Sequence, residues 1–195
     1  MQTLGISDSA SRSDSRLKSL FWPSIDSAVD VEYLAVQGYW ICTVVAAFSC
    51  VFLFVAHQPV LGIVILLFFH LGGVGVREHS RFAATVVLIF YVIDTFGSLK
   101  ILMGSPGMIV LRVIVTALLL SNLRAIWISA HWQSGSDEGA TPPRLVDTLS
   151  DKFANKWPSW FWPKIRVAYY IFSTGVLFLI AVGLGIMALG HSRGR

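Results

Sequence analysis

The sequence predicts an all-α integral membrane protein: a polytopic bundle of about five transmembrane helices, with an amphipathic interfacial helix before the last. Three observations carry this. Of 195 residues, 55 % are hydrophobic and only 13 % charged, where soluble domains run near 25 % charged. Long stretches have no charge or almost none, each about the 20 residues a span needs. Tryptophans and basic residues gather at the ends of those stretches, as at a headgroup boundary.

Residues 1–16 are rich in serine and almost free of apolar side chains, the composition of an unstructured tail. Residues 17–34 mix Leu17, Leu20, Phe21, Trp22, Ile25, Val29 and Leu34 with charges and read as an interfacial stretch. Residues 1–34 therefore form a cytoplasmic tail and its surface segment. The first 30 residues lack the basic-then-apolar pattern of a cleavable leader, so the first span is expected to act as its own insertion signal.

The uncharged run 35–56 is the first span, and His57-Gln58-Pro59 breaks it. Residues 59–76 form the second span, ending in the glycines Gly72, Gly73 and Gly75, which suit close helix packing or a frayed end. Arg77, Glu78, His79 and Arg81 make a short polar loop that orients the chain and caps the next helix with a capping box. An acid, a base and a phosphate clamp at the headgroups is the functional alternative for the same loop. The third span is 82–102 and the fourth 108–129, separated by the turn signal Gly104-Ser105-Pro106-Gly107.

Residues 130–166 are a cytoplasmic linker. Within it, 144–157 carry Leu145, Leu149 and Phe153 at four-residue spacing, an amphipathic helix. Trp157, Trp160, Phe161 and Trp162 then form an interfacial belt, with Trp22 its counterpart near the N-terminus. The linker, charged and aromatic, is the expected protein-docking surface. Residues 167–190 are the fifth span, and 191–195 a short tail. Phe21-Trp22-Pro23 echoes Phe161-Trp162-Pro163. The echo suits either two equivalent docking elements or the general preference for aromatic-proline pairs where a chain bends into the membrane.

With the N-terminus inside, 11 of the 15 basic residues fall on the cytoplasmic side, against three outside and Arg112 within a span. The positive-inside bias thus puts the N-terminus in the cytoplasm and the C-terminus outside.

Asp94 and Arg112 stand inside spans, where a charge is expensive and marks a candidate site. Asp94 lies 13 residues beyond Arg81 and Arg112 lies 12 before Arg124, about 19 and 18 Å along a helix. The two charges therefore sit at one level on neighbouring antiparallel helices, placed for an ion pair. Tyr91, Thr95, Ser98 and Thr116 are candidate polar lining beside it. The pair reads as a packing clamp or as part of an ion pathway.

His70 lies within the second span and is the candidate ligand for a haem or pigment metal, or a partner in an interhelical hydrogen bond. Two-histidine haem ligation would need a second histidine at similar depth, and the other four lie at span ends or in loops. Cys42 and Cys50, eight residues apart on one helix, are about 12 Å from each other, too far for a disulfide. No zinc spacing, nucleophile elbow or phosphate-binding glycine loop is present, and no catalytic residue is singled out. The basic excess suits anionic lipid, not nucleic acid.

The function this supports is a non-enzymatic accessory or structural subunit of a membrane assembly. Its partners are the bilayer and either another membrane protein or further copies of itself. The alternatives are an oligomeric channel or transporter using Asp94 and Arg112, and a lipid-acting enzyme using the 77–81 loop.

Overall fold

A computed structural model describes residues 21–98, 103–135, 149–158 and 160–193. These residues are helical, with no strand among them. In chain order the helices are α1 (Ala28–Val55), α2 (Pro59–Arg77), α3 (Arg81–Gly97), α4 (Pro106–Gly135), α5 (Leu149–Ala154) and α6 (Phe161–Arg193). Four helices contain a stretch long and apolar enough to cross a membrane: Ala28–Val55, Pro59–Arg77, Pro106–His131 and Phe161–Gly183. The expected third span is shorter, since α3 has 17 residues and ends at Gly97 rather than 102. Residues 99–102 lie outside the described part.

Several boundaries differ from the sequence expectation, and the reason is shared. Reading spans as uncharged runs stops each helix at its flanking charges. The structure lets helices run through charges that find partners or reach the surface. α1 begins at Ala28, not 35, because Ser27 and Asp30 form a capping box. The Ser27 Oγ accepts from the Asp30 amide at 3.3 Å, and the Ser27 amide donates to Asp30 Oδ2 at 3.1 Å. α4 runs from Pro106 to Gly135 instead of 108–129. α6 starts at Phe161, not 167, with Pro163 in its first turn, where its missing N–H deprives no helical bond. Of the amphipathic helix expected over 144–157, only Leu149–Ala154 is helical among the described residues, and 144–148 lie outside them. Phe153 of its proposed apolar stripe is exposed, whereas Ala154 is buried.

The first two connections turn by the same device. His57 and His79 both adopt left-handed backbone, with φ of 58° and 55°. After each, the chain closes back on the helix it leaves: the Gln58 amide donates to Leu53 O at 2.8 Å, and the Ser80 amide to Gly75 O at 2.9 Å. Pro59 then opens α2, where its fixed φ suits a helix start. Ser80 caps α3 through its hydroxyl, which accepts from the Ala83 amide. The expected capping box is not formed, because position 83 is alanine and has no side chain to reach back.

α1 to α4 alternate in direction and close into a four-helix arrangement, with α4 packed on both α1 and α3. α6 lies against α2 and α3, and α5 against α1. Helix α2 is central because its last turns are built from glycine. A Cβ at Gly72 would meet Val87 and the Tyr169 hydroxyl. One at Gly73 would meet Cys42 and the Tyr39 backbone, and one at Gly75 would meet Trp162 and Ala83. Three glycines within four residues thus admit α1, α3 and α6 to within backbone-packing distance of a single helix.

The main core clusters Phe68, Phe69, Val86, Val87, Phe90, Tyr91 and Leu119 around Cys42 and Ala46. Gly175, Gly183 and Gly185 of α6 play no such part. A Cβ at Gly175, Gly183 or Gly185 would meet nothing within 4 Å. Phe178, Leu179, Val182 and Ile186 are exposed beside them.

Candidate functional site

Charges are few in this bundle, so where they go defines the candidate site. The structure brings Asp94 and Arg112 together: Arg112 Nη1 donates to Asp94 Oδ2. Asp94 sits one turn before the end of α3, and Arg112 in the second turn of α4. The Arg112 guanidinium also lies 5.2 Å from the centre of the Tyr91 ring and donates to Thr95 Oγ1 at 3.4 Å. The pair is not enclosed. Asp94 is 46 % exposed and Arg112 21 %.

The polar residues expected beside this pair also make contacts within their own helices. The Thr95 hydroxyl donates to Tyr91 O at 2.8 Å, and that of Thr116 to Arg112 O at 2.8 Å. Both satisfy carbonyls of their own helices. Ser98 caps the end of α3, its amide donating to Asp94 O at 3.0 Å.

The more deeply buried pair was not foreseen. Glu32 was assigned to a surface segment and Arg77 to a loop. The structure buries both, at 1 % and 3 % exposure, with Arg77 Nη2 2.5 Å from Glu32 Oε1. Glu32 lies in the second turn of α1 because the capping box starts that helix early. Arg77 is the last residue of α2, held inward by the glycine packing just before it. His79 Nε2 lies 3.5 Å from the other Glu32 oxygen. Arg77 Nη2 also donates to Asn155 Oδ1 at 2.5 Å, which ties the segment after α5 to the bundle. The only sequence signal for this cluster is a carboxylate three residues before the uncharged run that begins at 35. That signal names no partner.

His70 faces α1 within reach of an interhelical hydrogen bond. Its Nδ1 is 3.4 Å from Thr43 Oγ1 of α1. Its ring lies 5.9 Å from that of Tyr39 and 5.8 Å from that of Trp157. Trp157 therefore folds onto the bundle and stacks on Phe161 at 4.4 Å. Among the described residues no group of three or more His, Cys, Asp or Glu side chains is placed to hold a metal.

The tryptophans divide. Trp22 and Trp160 are exposed, each beneath a cation: Arg124 lies 4.8 Å from Trp22, and Lys164 4.7 Å from Trp160. Arg81 covers Trp127 at 5.6 Å in the same way. Trp162, expected at the interface, is a core residue at 6 % exposure, wedged against Gly75 and Ala83 and near Tyr169. The two Phe-Trp-Pro segments are therefore not equivalent. In the first, Trp22 and Pro23 are not helical and Pro23 O accepts from Arg124 at 2.9 Å, while the second opens α6.

The starts of α1, α3 and α6, the ends of α2 and α4, and these basic-aromatic pairs all lie at one end of the bundle. Replacing Asn155 by alanine is expected to free the 149–158 segment without unfolding the bundle, since it removes one hydrogen bond to a charged group, about 1.5–3 kcal/mol. Limited proteolysis would read this as faster cleavage near Lys156, with the thermal midpoint little changed.

No protein-family model, no curated protein and no solved structure matches the chain.

Proposed function

We propose that this chain is a five-span membrane protein, N-terminus cytoplasmic and C-terminus outside, serving as a non-enzymatic accessory or structural subunit of a membrane assembly. Four spans rest on helices of sufficient length and apolarity. The fifth is α3, whose 17 residues reach about 25 Å. The orientation is supported by the basic-aromatic belt at the end where α1 and α6 both begin. α6 then leads the C-terminus to the opposite face.

The observation that carries the functional reading is the use made of charge. Glu32 with Arg77, and Asp94 with Arg112, join different helices and neutralise each other. They fix how helices pack, and the hydroxyl protons of the two nearby threonines go to backbone carbonyls, with Thr95 Oγ1 accepting from Arg112 as well. Three side chains of the 77–81 loop that an enzyme would need free are drawn into contacts: Arg77 and His79 onto Glu32, Arg81 onto Trp127.

The second reading, an oligomeric channel or transporter, draws on the half-exposed position of Asp94. A ring of copies could turn that carboxylate toward a shared pathway. One experiment separates the two. The double variant Asp94→Asn with Arg112→Leu is expected to keep the bundle folded on gentle extraction, while Arg112→Leu alone destabilises it by leaving a carboxylate without its partner. In liposomes, Asp94→Asn is expected to leave ion flux at the level of empty vesicles, as wild type does. Wild-type flux that Asp94→Asn abolishes at unchanged folding would overturn the subunit reading.

A further inference from the structure

We infer that the α3–α4 face carrying Asp94 and Arg112 is a self-association surface, and that its occupant is a second copy of this chain. The inference rests on the subunit reading above and names the first partner in the assembly.

The first turns of α4 are bare on all sides. Met108, Ile109, Val110, Leu111 and Val113 are exposed in near succession, and Phe96 at the end of α3 is exposed beside them. An apolar helix turn facing lipid needs no explanation. An ion pair in its midst does. Asp94 keeps nearly half its surface open, and Arg112 about a fifth, within an otherwise apolar stretch. One contact joins them, Nη1 to Oδ2. The second carboxylate oxygen and the remaining guanidinium N–H groups lack the geometry of a two-pronged pair. Leaving such a pair against hydrocarbon is costly, and covering it with matching charges lowers that cost.

The pair carries both signs side by side on neighbouring antiparallel helices. A two-fold axis through this face sets Asp94 of one copy against Arg112 of the other, and the reverse. Four charges then alternate, and each guanidinium serves two carboxylates. An isologous contact of this kind needs only the residues already present. A partner of another kind would have to bring its own complementary pair at the same depth.

Two measurements test this on the full-length protein in native membranes. The first is disulfide trapping in a background of Cys42→Ala and Cys50→Ser. Met108 lies about 40° round the helix from Arg112 and Val110 about 160°. Met108→Cys is expected to give covalent dimer several-fold above Val110→Cys. The second is charge complementation. Arg112→Asp makes a copy with two acids, and Asp94→Arg a copy with two bases. Expressed separately, each is expected to be monomeric; expressed together under different tags, they are expected to copurify.

Equal trapping at the two positions, or failure of the folded charge variants to copurify, would overturn the second-copy inference. A different polypeptide trapped at Met108→Cys would also overturn it, while leaving the subunit reading standing. A wild-type monomer with nothing trapped would remove both. The trapping arm uses no charge substitution, so it decides the matter even if Arg112→Asp fails to fold.

Discussion

Replacing Arg77 by methionine is expected to destabilise the folded chain by about 3–5 kcal/mol, the range for stranding one member of a buried ion pair. The methionine stem fills much of the arginine's volume, so the loss is chiefly electrostatic. Glu32 would keep its carboxylate at 1 % exposure, with the 2.5 Å contact to Arg77 gone. Asn155 would lose the hydrogen bond from Arg77 as well, loosening the hold of the 149–158 segment on the bundle. The paired replacement Glu32→Leu with Arg77→Met is expected to recover much of that loss, because it removes the desolvated charge instead of orphaning it. The measurement is thermal or denaturant unfolding in a fixed detergent for wild type, each single variant and the double. A double variant whose loss equals the sum of the two single losses would show that the two residues act independently and that the pair is not a clamp.

The second large effect is expected at Gly75. An alanine Cβ there would come within 2.4 Å of Trp162 and 2.5 Å of the Ala83 Cβ. The tryptophan ring could swing only into Tyr169 and Tyr170, whose rings already lie 5.7 and 6.2 Å away. The Ala83 Cβ cannot move without its helix. Gly75→Ala is therefore expected to push α3 or α6 off α2 at a cost of about 1–3 kcal/mol. Tryptophan fluorescence should report it, since Trp162 would become more exposed, alongside a lower thermal midpoint. Gly183→Ala, which meets open space, is the matched control and is expected to change neither. If both substitutions behave alike, close packing at the end of α2 is not what positions α6.

The same residues show where reading the sequence succeeds and where it stops. The levels of Asp94 and Arg112 could be computed, because depth along a helix follows from residue number and a fixed rise. The short turn between their helices made them neighbours. Glu32 and Arg77 gave no such handle. Each is last or nearly last before a boundary, so each looked like a surface charge, and nothing local says that two such residues 45 positions apart meet. Trp162 failed for a related reason: a tryptophan beside a proline and two basic residues suits a headgroup belt, and only the gap left by Gly75 turns it inward.

What the sequence by itself determined was the class and the coarse plan: a helical, apolar chain with breaks near 57 and 78, and one mid-span charge pair. Those follow from hydropathy and turn chemistry, which act over a few residues. Only the tertiary structure decided how far each helix runs, which glycines are packed and which are open, and which charges are buried. A helix continues through a charge when a partner from elsewhere neutralises it, and a glycine matters when another helix arrives there. Both depend on contacts between distant segments, such as Arg77 with Asn155, 78 residues on, and local pattern carries no record of them.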